Sequence, residues 1–176
     1  MTLVLSGNTG SALDGIKNSL MFLETAKATT SGTSIDFTGI PSWAKKITVV
    51  FNEVSLSASA QLLIQLGTTS GYETTGYLST TTYLTQSSST TGTSATNAFV
   101  IFSNNSTTNT TGHLAIITLG SNLWVSNGVT RQTTSQMTIN SGVKTTAATV
   151  DRLRITTTST DTFDNGSVNI LIEGYV

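Results

Sequence analysis

The sequence predicts an all-β fold, an antiparallel β-sandwich of jelly-roll type with a short N-terminal arm. Apolar and polar residues alternate with a period of two in runs that are bounded by Gly, Asn and Ser. Thr and Ser are the two commonest residues, and the branched Cβ of Thr suits a pleated surface. No long helical pattern separates the runs, as a parallel sheet would require. Together these observations favour antiparallel sheets.

The composition indicates one domain and excludes several classes of partner. The chain has 176 residues, which is enough for a single core with an appended arm. Only 10% of residues are charged and the formal net charge is -1, so no basic surface for nucleic acid or an anionic membrane is expected. No Cys is present and no apolar run is long enough to insert into a membrane.

The first element in chain order is an N-terminal arm, residues 1–24, which precedes a sandwich domain at residues 25–176. Leu13, Ile16, Leu20 and Leu23 recur at helical spacing, and Ser11 begins a weak capping box. This pattern predicts a short helix. The apolar stripe would either pack on its own domain or anchor the chain to a virion partner.

From residue 25 onward the period changes from helical spacing to two. Strands are predicted at 34–40, 45–57 and 60–67 because apolar residues occupy every second position there. Gly39 and Pro41 turn the chain between the first two of these strands.

The later strand candidates lie at 96–103, 113–120, 123–126, 152–159 and 166–175. Asn165 and Gly166 form a pair that tolerates positive φ in a tight hairpin turn. We therefore expect the last two strands to pair with each other across that turn.

Residues 68–95 and 103–112 are rich in small polar residues, which predicts long loops or flexible strands. Tyr72, Tyr77 and Tyr83 lie in the first of these segments. A tyrosine ring is apolar on its face and polar at its tip, so these three residues are candidate receptor or glycan contacts. The alternative is ordinary packing under a loop.

Few residues indicate catalysis or metal binding. His113 is the single histidine and has no cysteine with which to share a metal. Asp161, Asp164 and Asn165 depart from the spacing of a calcium loop and favour an Asx-supported turn. No nucleophile-elbow pattern occurs. We expect a protein that is not an enzyme, with no metal and no cofactor.

Two stretches, residues 30–67 and 151–175, resemble small β-rich modules of virion proteins from tailed bacteriophages. The start "MTLVLSG" is also similar to the first residues of such proteins. The resemblance implies a virion location, a homotrimer and other virion proteins as partners. The residues that carry it are Ile35, Asp36, Phe37, Gly39, Ile40, Pro41, Trp43, Leu66, Gly67, Phe163, Asp164 and Gly166.

The leading functional hypothesis is a tail-associated fibre or receptor-binding protein for host attachment, with a host surface glycan as a candidate ligand. The alternative is a capsid decoration protein that cements the head, which the small size of the chain favours. An ice-binding protein, a polysaccharide depolymerase and a free-standing carbohydrate-binding module are further alternatives. The Thr-x-Thr motifs are isolated, which counts against an ice-binding protein. No recognisable catalytic motif supports a depolymerase. A free-standing carbohydrate-binding module should have a secretion signal, and none is recognised.

Overall fold

The computed structural model describes residues 19–86, 90–103, 106 and 108–175, and its strands build two antiparallel sheets that pack together around one main core. This arrangement confirms the predicted all-β sandwich. The strands are β1 (Ser19–Leu23), β2 (Lys27–Ala28), β3 (Ser34–Thr38), β4 (Ala44–Leu56), β5 (Leu62–Thr68), β6 (Gly71–Tyr72), β7 (Tyr77–Thr85), β8 (Thr90–Ala95), β9 (Phe99–Ile101), β10 (Thr110–Gly120), β11 (Leu123–Thr133), β12 (Gln136–Thr145), β13 (Arg152–Thr157) and β14 (Phe163–Tyr175).

The two sheets differ in size. The large sheet has the order β1-β14-β4-β10-β11-β12-β7-β8, with the short β2 also paired to β14. The small sheet has the order β3-β13-β5-β6, and β9 pairs with β5. The long central strands of the large sheet therefore present one face to the small sheet and the opposite face outward.

The main core lies between the sheets and follows the period-two pattern. In β4 the side chains of Ile47, Val49 and Phe51 are buried, while Val50 between them is exposed. Ile170 and Ile172 of β14 continue this buried face beside β4. Burial of a side chain of this size contributes about 1.5–3 kcal/mol, so these strands supply much of the driving force for folding.

The two C-terminal strands join different sheets, which corrects the prediction that they pair with each other. β13 pairs with β3 and β5 in the small sheet, whereas β14 pairs with β1, β2 and β4 in the large sheet. Asn165 and Gly166 lie inside β14, where its register with β4 shifts. Gly166 has φ 92° and a Cβ there would overlap the carbonyl oxygen of Glu53, so its positive φ serves a bulge.

The end of the arm is a strand, which corrects the predicted helix for residues 19–23. β1 pairs with β14 along its whole length, from Ser19 opposite Tyr175 to Leu23 opposite Leu171. In a strand, Leu20 and Leu23 point to opposite faces, so they do not form the expected stripe. A free edge of β14 offers hydrogen bonds that override a weak helical pattern. Leu13 and Ile16 lie outside the described residues.

Much of the polar middle of the chain is also strand. Segment 68–95 contains β6, β7 and β8, so it is not one long loop, and β12 was not predicted. The buried positions of β7 are Tyr77, Ser79, Thr81 and Tyr83, which alternate with exposed neighbours. Half of these buried residues are small and polar, so hydrophobic periodicity does not reveal the strand.

Candidate functional site

The outer face of the large sheet exposes two apolar rows, which we regard as the candidate interaction surface. Residues that pair across neighbouring strands form the first row, which we name the Val129 row. A second set of paired residues forms the Val125 row, which crosses β11 four residues before Val129. Ile139 is 48% exposed and Leu78 is 69% exposed, so the rows are open to solvent. The Val129 row consists of Val50, His113, Val129, Ile139 and Thr82, so three of its five positions are apolar. The Val125 row consists of Ile117, Val125, Val143 and Leu78.

A furrow of smaller residues, the Asn127 row, lies between the two apolar rows. Positions four residues apart along a strand are about 13 Å from each other, so the apolar rows form two ridges at that spacing. The shorter side chains between them make the surface corrugated rather than flat. The Asn127 row consists of Thr48, Ala115, Asn127, Ser141 and Thr80.

Charged groups at this surface are paired and lie near its margins. Lys46 Nζ is 2.7 Å from Glu173 Oε2 at one margin, and Arg131 forms an ion pair with Glu53 at another. A hydrogen bond that Thr111 donates to Glu53 holds the pKa of this carboxyl below its ordinary value. The centre of the surface consequently contains no Asp, Glu, Lys or Arg and is inexpensive to desolvate.

The edge of the large sheet is apolar as well. Met21, Phe22 and Leu23 of β1 are all largely exposed, and within the described residues no further strand pairs with the outer edge of β1. Exposed apolar edge strands are templates for the addition of a strand from another chain. β1 is thus a second candidate interaction surface.

Two of the three tyrosines predicted to contact a receptor are buried. Tyr77 and Tyr83 belong to the interior, which corrects that prediction for both residues. Tyr77 packs edge-on against Phe99 with the ring centroids 5.1 Å apart, and its hydroxyl oxygen accepts a 2.7 Å hydrogen bond from the backbone N–H of Leu66. Burial raises the pKa of the Tyr77 hydroxyl. This residue joins the two sheets.

Replacing Tyr77 with Phe should lower the free energy of unfolding by about 1–3 kcal/mol, because the buried N–H of Leu66 loses its acceptor. Urea denaturation monitored by circular dichroism measures the change. Tyr83→Phe is the matched control, because it removes the same hydroxyl from a second buried tyrosine and leaves the hydrogen bond to Leu66 intact, so it should lose less stability than Tyr77→Phe. Equal losses in the two variants would contradict the assigned role of the Tyr77 hydroxyl.

Tyr72 is partly exposed on the small sheet, and Arg154 covers its ring. The guanidinium carbon of Arg154 lies 4.1 Å from the ring centroid. The same guanidinium donates two hydrogen bonds, of 2.7 and 2.8 Å, to the carboxylate of Asp36. These bonds hold the pKa of Asp36 below its ordinary value of 3.8. Because the Arg154 guanidinium lies against a face of the Tyr72 ring, Tyr72 is less suited to stacking on a sugar than the sequence indicated.

The Asp36–Arg154 pair should make stability depend on pH. Asp36 has a lower pKa in the folded than in the unfolded chain, so its contribution is full above pH 3.8 and disappears as the pH falls through the folded value. Asp36→Asn should therefore cost about 1 kcal/mol of unfolding free energy at pH 7, and this difference should shrink in strong acid. Urea unfolding at both pH values measures it.

Asp161→Asn is the control for this pH dependence, because no ion pair joins Asp161 to a described residue. Its unfolding free energy should stay close to that of the unmodified protein at both pH values. A constant deficit of Asp36→Asn from neutral pH to strong acid would show that the ion pair does not cause the effect.

The described residues contain no cluster of three His, Asp or Glu side chains that could hold a metal ion. No helix in this part of the chain has the length and apolar character needed to cross a bilayer. No protein family, curated protein or solved structure matches the chain.

Sequence reasoning missed the apolar rows, although a signal for them was present. In "HLAIITLG" both alternating sets are apolar, since Leu114 and Ile116 face inward while Ala115 and Ile117 face outward. Strands that are apolar on both faces are typical of sheets covered on both sides. The pattern therefore indicated a covered outer face as well as a core.

Proposed function

We propose that this chain is a non-enzymatic structural protein of a bacteriophage virion, exposed on the particle as a tail-associated fibre or receptor-binding protein. The observation that carries the proposal is the apolar outer face of the large sheet. Exposed apolar side chains concentrated on one face of a sheet mark a surface for protein association. The resemblance of residues 30–67 and 151–175 to virion modules supports the same role.

The size of the outer face fits an interface between copies of the chain. Five strands, β4, β10, β11, β12 and β7, carry the rows, and at about 4.8 Å per strand they span roughly 20–25 Å. The six residue-to-residue steps between Val125 and Arg131 add about 20 Å in the other direction. The projected area is thus about 500 Å², and side-chain relief and neighbouring strands extend it toward the roughly 800 Å² that each partner buries in a stable complex.

We propose that the chain forms a homotrimer, because the resemblance to virion modules of tailed bacteriophages implies one. With so few charged residues, the chain gains stability by covering its apolar rows, and closed symmetry leaves no row open for further growth. Ridges and a furrow on each copy can interdigitate as the inner faces of two packed sheets do.

Capsid decoration is the second candidate, and the exposed edge strand β1 favours it. A decoration protein must attach to other proteins, and strand addition along β1 would provide backbone hydrogen bonds to a capsid subunit. In this case residues 1–24 would anchor the protein to the head.

Immunogold labelling of intact virions, viewed by negative-stain electron microscopy, tests the proposal. Gold at the tail or its tip is expected, whereas gold over the head would establish decoration instead. An antibody to a known tail protein is the control for access. If that control labels the particle and the antibody to this chain does not, the protein is not exposed on the virion and the proposal fails.

A further inference from the structure

The outer face of the large sheet carries the single histidine of the chain. His113 lies on β10, directly opposite Val50 of β4 on one side and Val129 of β11 on the other. Its side chain is exposed, and each of the two valines is 40% exposed. The imidazole therefore belongs to the surface that we propose as the interface between copies.

Histidine is the side chain whose ordinary change of charge falls between pH 5 and 8. Covering a neutral imidazole with another copy of the chain requires only that its polar atoms find hydrogen bonds. Covering an imidazolium requires the desolvation of a full charge, which is costly unless an opposite charge lies beside it. The surroundings of His113 therefore decide whether its protonated form can be buried in an interface.

The carboxylates nearest to His113 on the flanking strands already have cationic partners. Glu53 of β4 forms an ion pair with Arg131, and Glu173 of β14 lies 2.7 Å from Lys46 Nζ. Among the described residues no Asp or Glu forms an ion pair with His113. A protonated His113 would consequently enter the interface without a counter-ion.

The other side chains around His113 on the outer face carry no charge. On β10 itself its neighbours on this face are Thr111 and Ala115, and on β14 the residue opposite Val50 is Asn169. The Val129 row continues over β12 and β7 with uncharged residues. Protonation of His113 therefore leaves the surroundings unable to neutralise it.

The charge balance of this part of the surface depends on His113. Lys46 and Arg131 balance Glu173 and Glu53, so the group is neutral with a neutral imidazole and positive with a protonated one. Hydrogen bonds from neighbouring side chains hold the pKa of Glu53 below its ordinary value, which keeps this carboxylate ionised at pH 5. In a symmetric assembly each copy brings the same extra positive charge, so the copies cannot compensate for one another.

We propose that His113 makes the association of copies depend on pH, with assembly at neutral pH and separation in mild acid. This inference rests on the outer face being the interface between copies, as proposed above. A copy that must release one proton on association changes its equilibrium constant by up to tenfold per pH unit, with association favoured as the pH rises. For three copies the change reaches about a thousandfold per pH unit.

Sedimentation equilibrium of the full chain at pH 7 and pH 5, at one ionic strength, measures this dependence. The unmodified chain should be a trimer at pH 7 and largely a monomer at pH 5, and it should reassemble when the pH is restored. Circular dichroism at both pH values should show the same folded state, because acid is expected to separate the copies without unfolding them.

Three variants assign the effect to the charge of His113. His113→Gln is neutral throughout and should be a trimer at both pH values. His113→Lys is charged throughout and should be a folded monomer at both. The matched control joins His113→Gln to Ser34→His, which moves the histidine to an exposed position on the small sheet, and it should be a trimer at both pH values.

The outcomes separate this inference from the proposed assembly. An unmodified chain that is monomeric at pH 7 would overturn both, because no interface would exist for His113 to control. A trimer that persists at pH 5 would overturn the role of His113 and leave the proposed assembly intact. Acid dissociation that survives in His113→Gln would place the effect on another group and would equally overturn this inference.

Discussion

Phe99→Ala is expected to lower the free energy of unfolding by about 3–5 kcal/mol, the usual cost of removing a buried aromatic ring. Phe99 is 1% exposed and packs edge-on against Tyr77. Its ring also fills the space that a side chain at Gly142 would occupy. Phe99 lies on β9 of the small sheet, whereas Tyr77 and Gly142 lie on the large sheet, so the substitution opens a cavity between the sheets.

Urea denaturation monitored by circular dichroism measures this loss. Phe22→Ala is the matched control, because the same ring is removed from a side chain that is 49% exposed on the edge strand β1. The control should lose less than about 1 kcal/mol, as surface substitutions usually do. Similar losses in both variants would mean that Phe99 does not hold the two sheets together.

Converting the centre of the outer face to charged residues should abolish self-association. Val129 and Ile139 are directly opposite each other in the Val129 row. The double variant Val129→Lys, Ile139→Glu keeps a favourable cross-strand pair within each copy. The two charges must nevertheless be desolvated when copies associate, so association should weaken by at least about a hundredfold. The variant should be a folded monomer under conditions in which the unmodified chain is a trimer.

Size-exclusion chromatography with light scattering measures the molar mass, and circular dichroism shows whether the variant is folded. The control places the same two charges on the other sheet, as Ser34→Lys with Thr156→Glu, which are also cross-strand partners. The control should remain trimeric. A monomeric unmodified chain, or a double variant with unchanged molar mass, would exclude the outer face as the interface between copies.

The candidate surfaces could be read from the sequence only in part. Tyr72, Tyr77 and Tyr83 have the composition of a binding segment, yet the latter two are buried because β7 alternates and turns them both inward. In "HLAIITLG" the odd-numbered and the even-numbered residues both include apolar side chains, which indicated that both faces of the strand are covered. The sequence did not indicate which of these two sets faces the other sheet. Lys45, Trp124 and Tyr175 line one cavity but come from three different strands, β4, β11 and β14, so no local motif could reveal it.

The fold class and the apolar strands follow from the residue pattern alone. Alternation in β3, β4, β5 and β14 selects the side chains that share a face, because successive residues of a strand point to opposite sides. A local pattern of this kind needs no knowledge of the partner strand. The alternating pattern does not predict β7, because Ser79 and Thr81 occupy buried positions there. The helical spacing does not predict β1 either, because β1 pairs with β14 as a strand.

Strand pairing, and the sheet face that stays exposed, depend on contacts between distant parts of the chain. β13 and β14 have similar apolar alternation, yet they belong to opposite sheets. The backbone hydrogen bonds that join strands are the same for nearly every residue, so they carry little information about the choice of partner. That choice depends on packing between residues far apart in the chain, as Phe99 on Gly142 illustrates. The same long-range packing leaves the Val129 and Val125 rows facing outward.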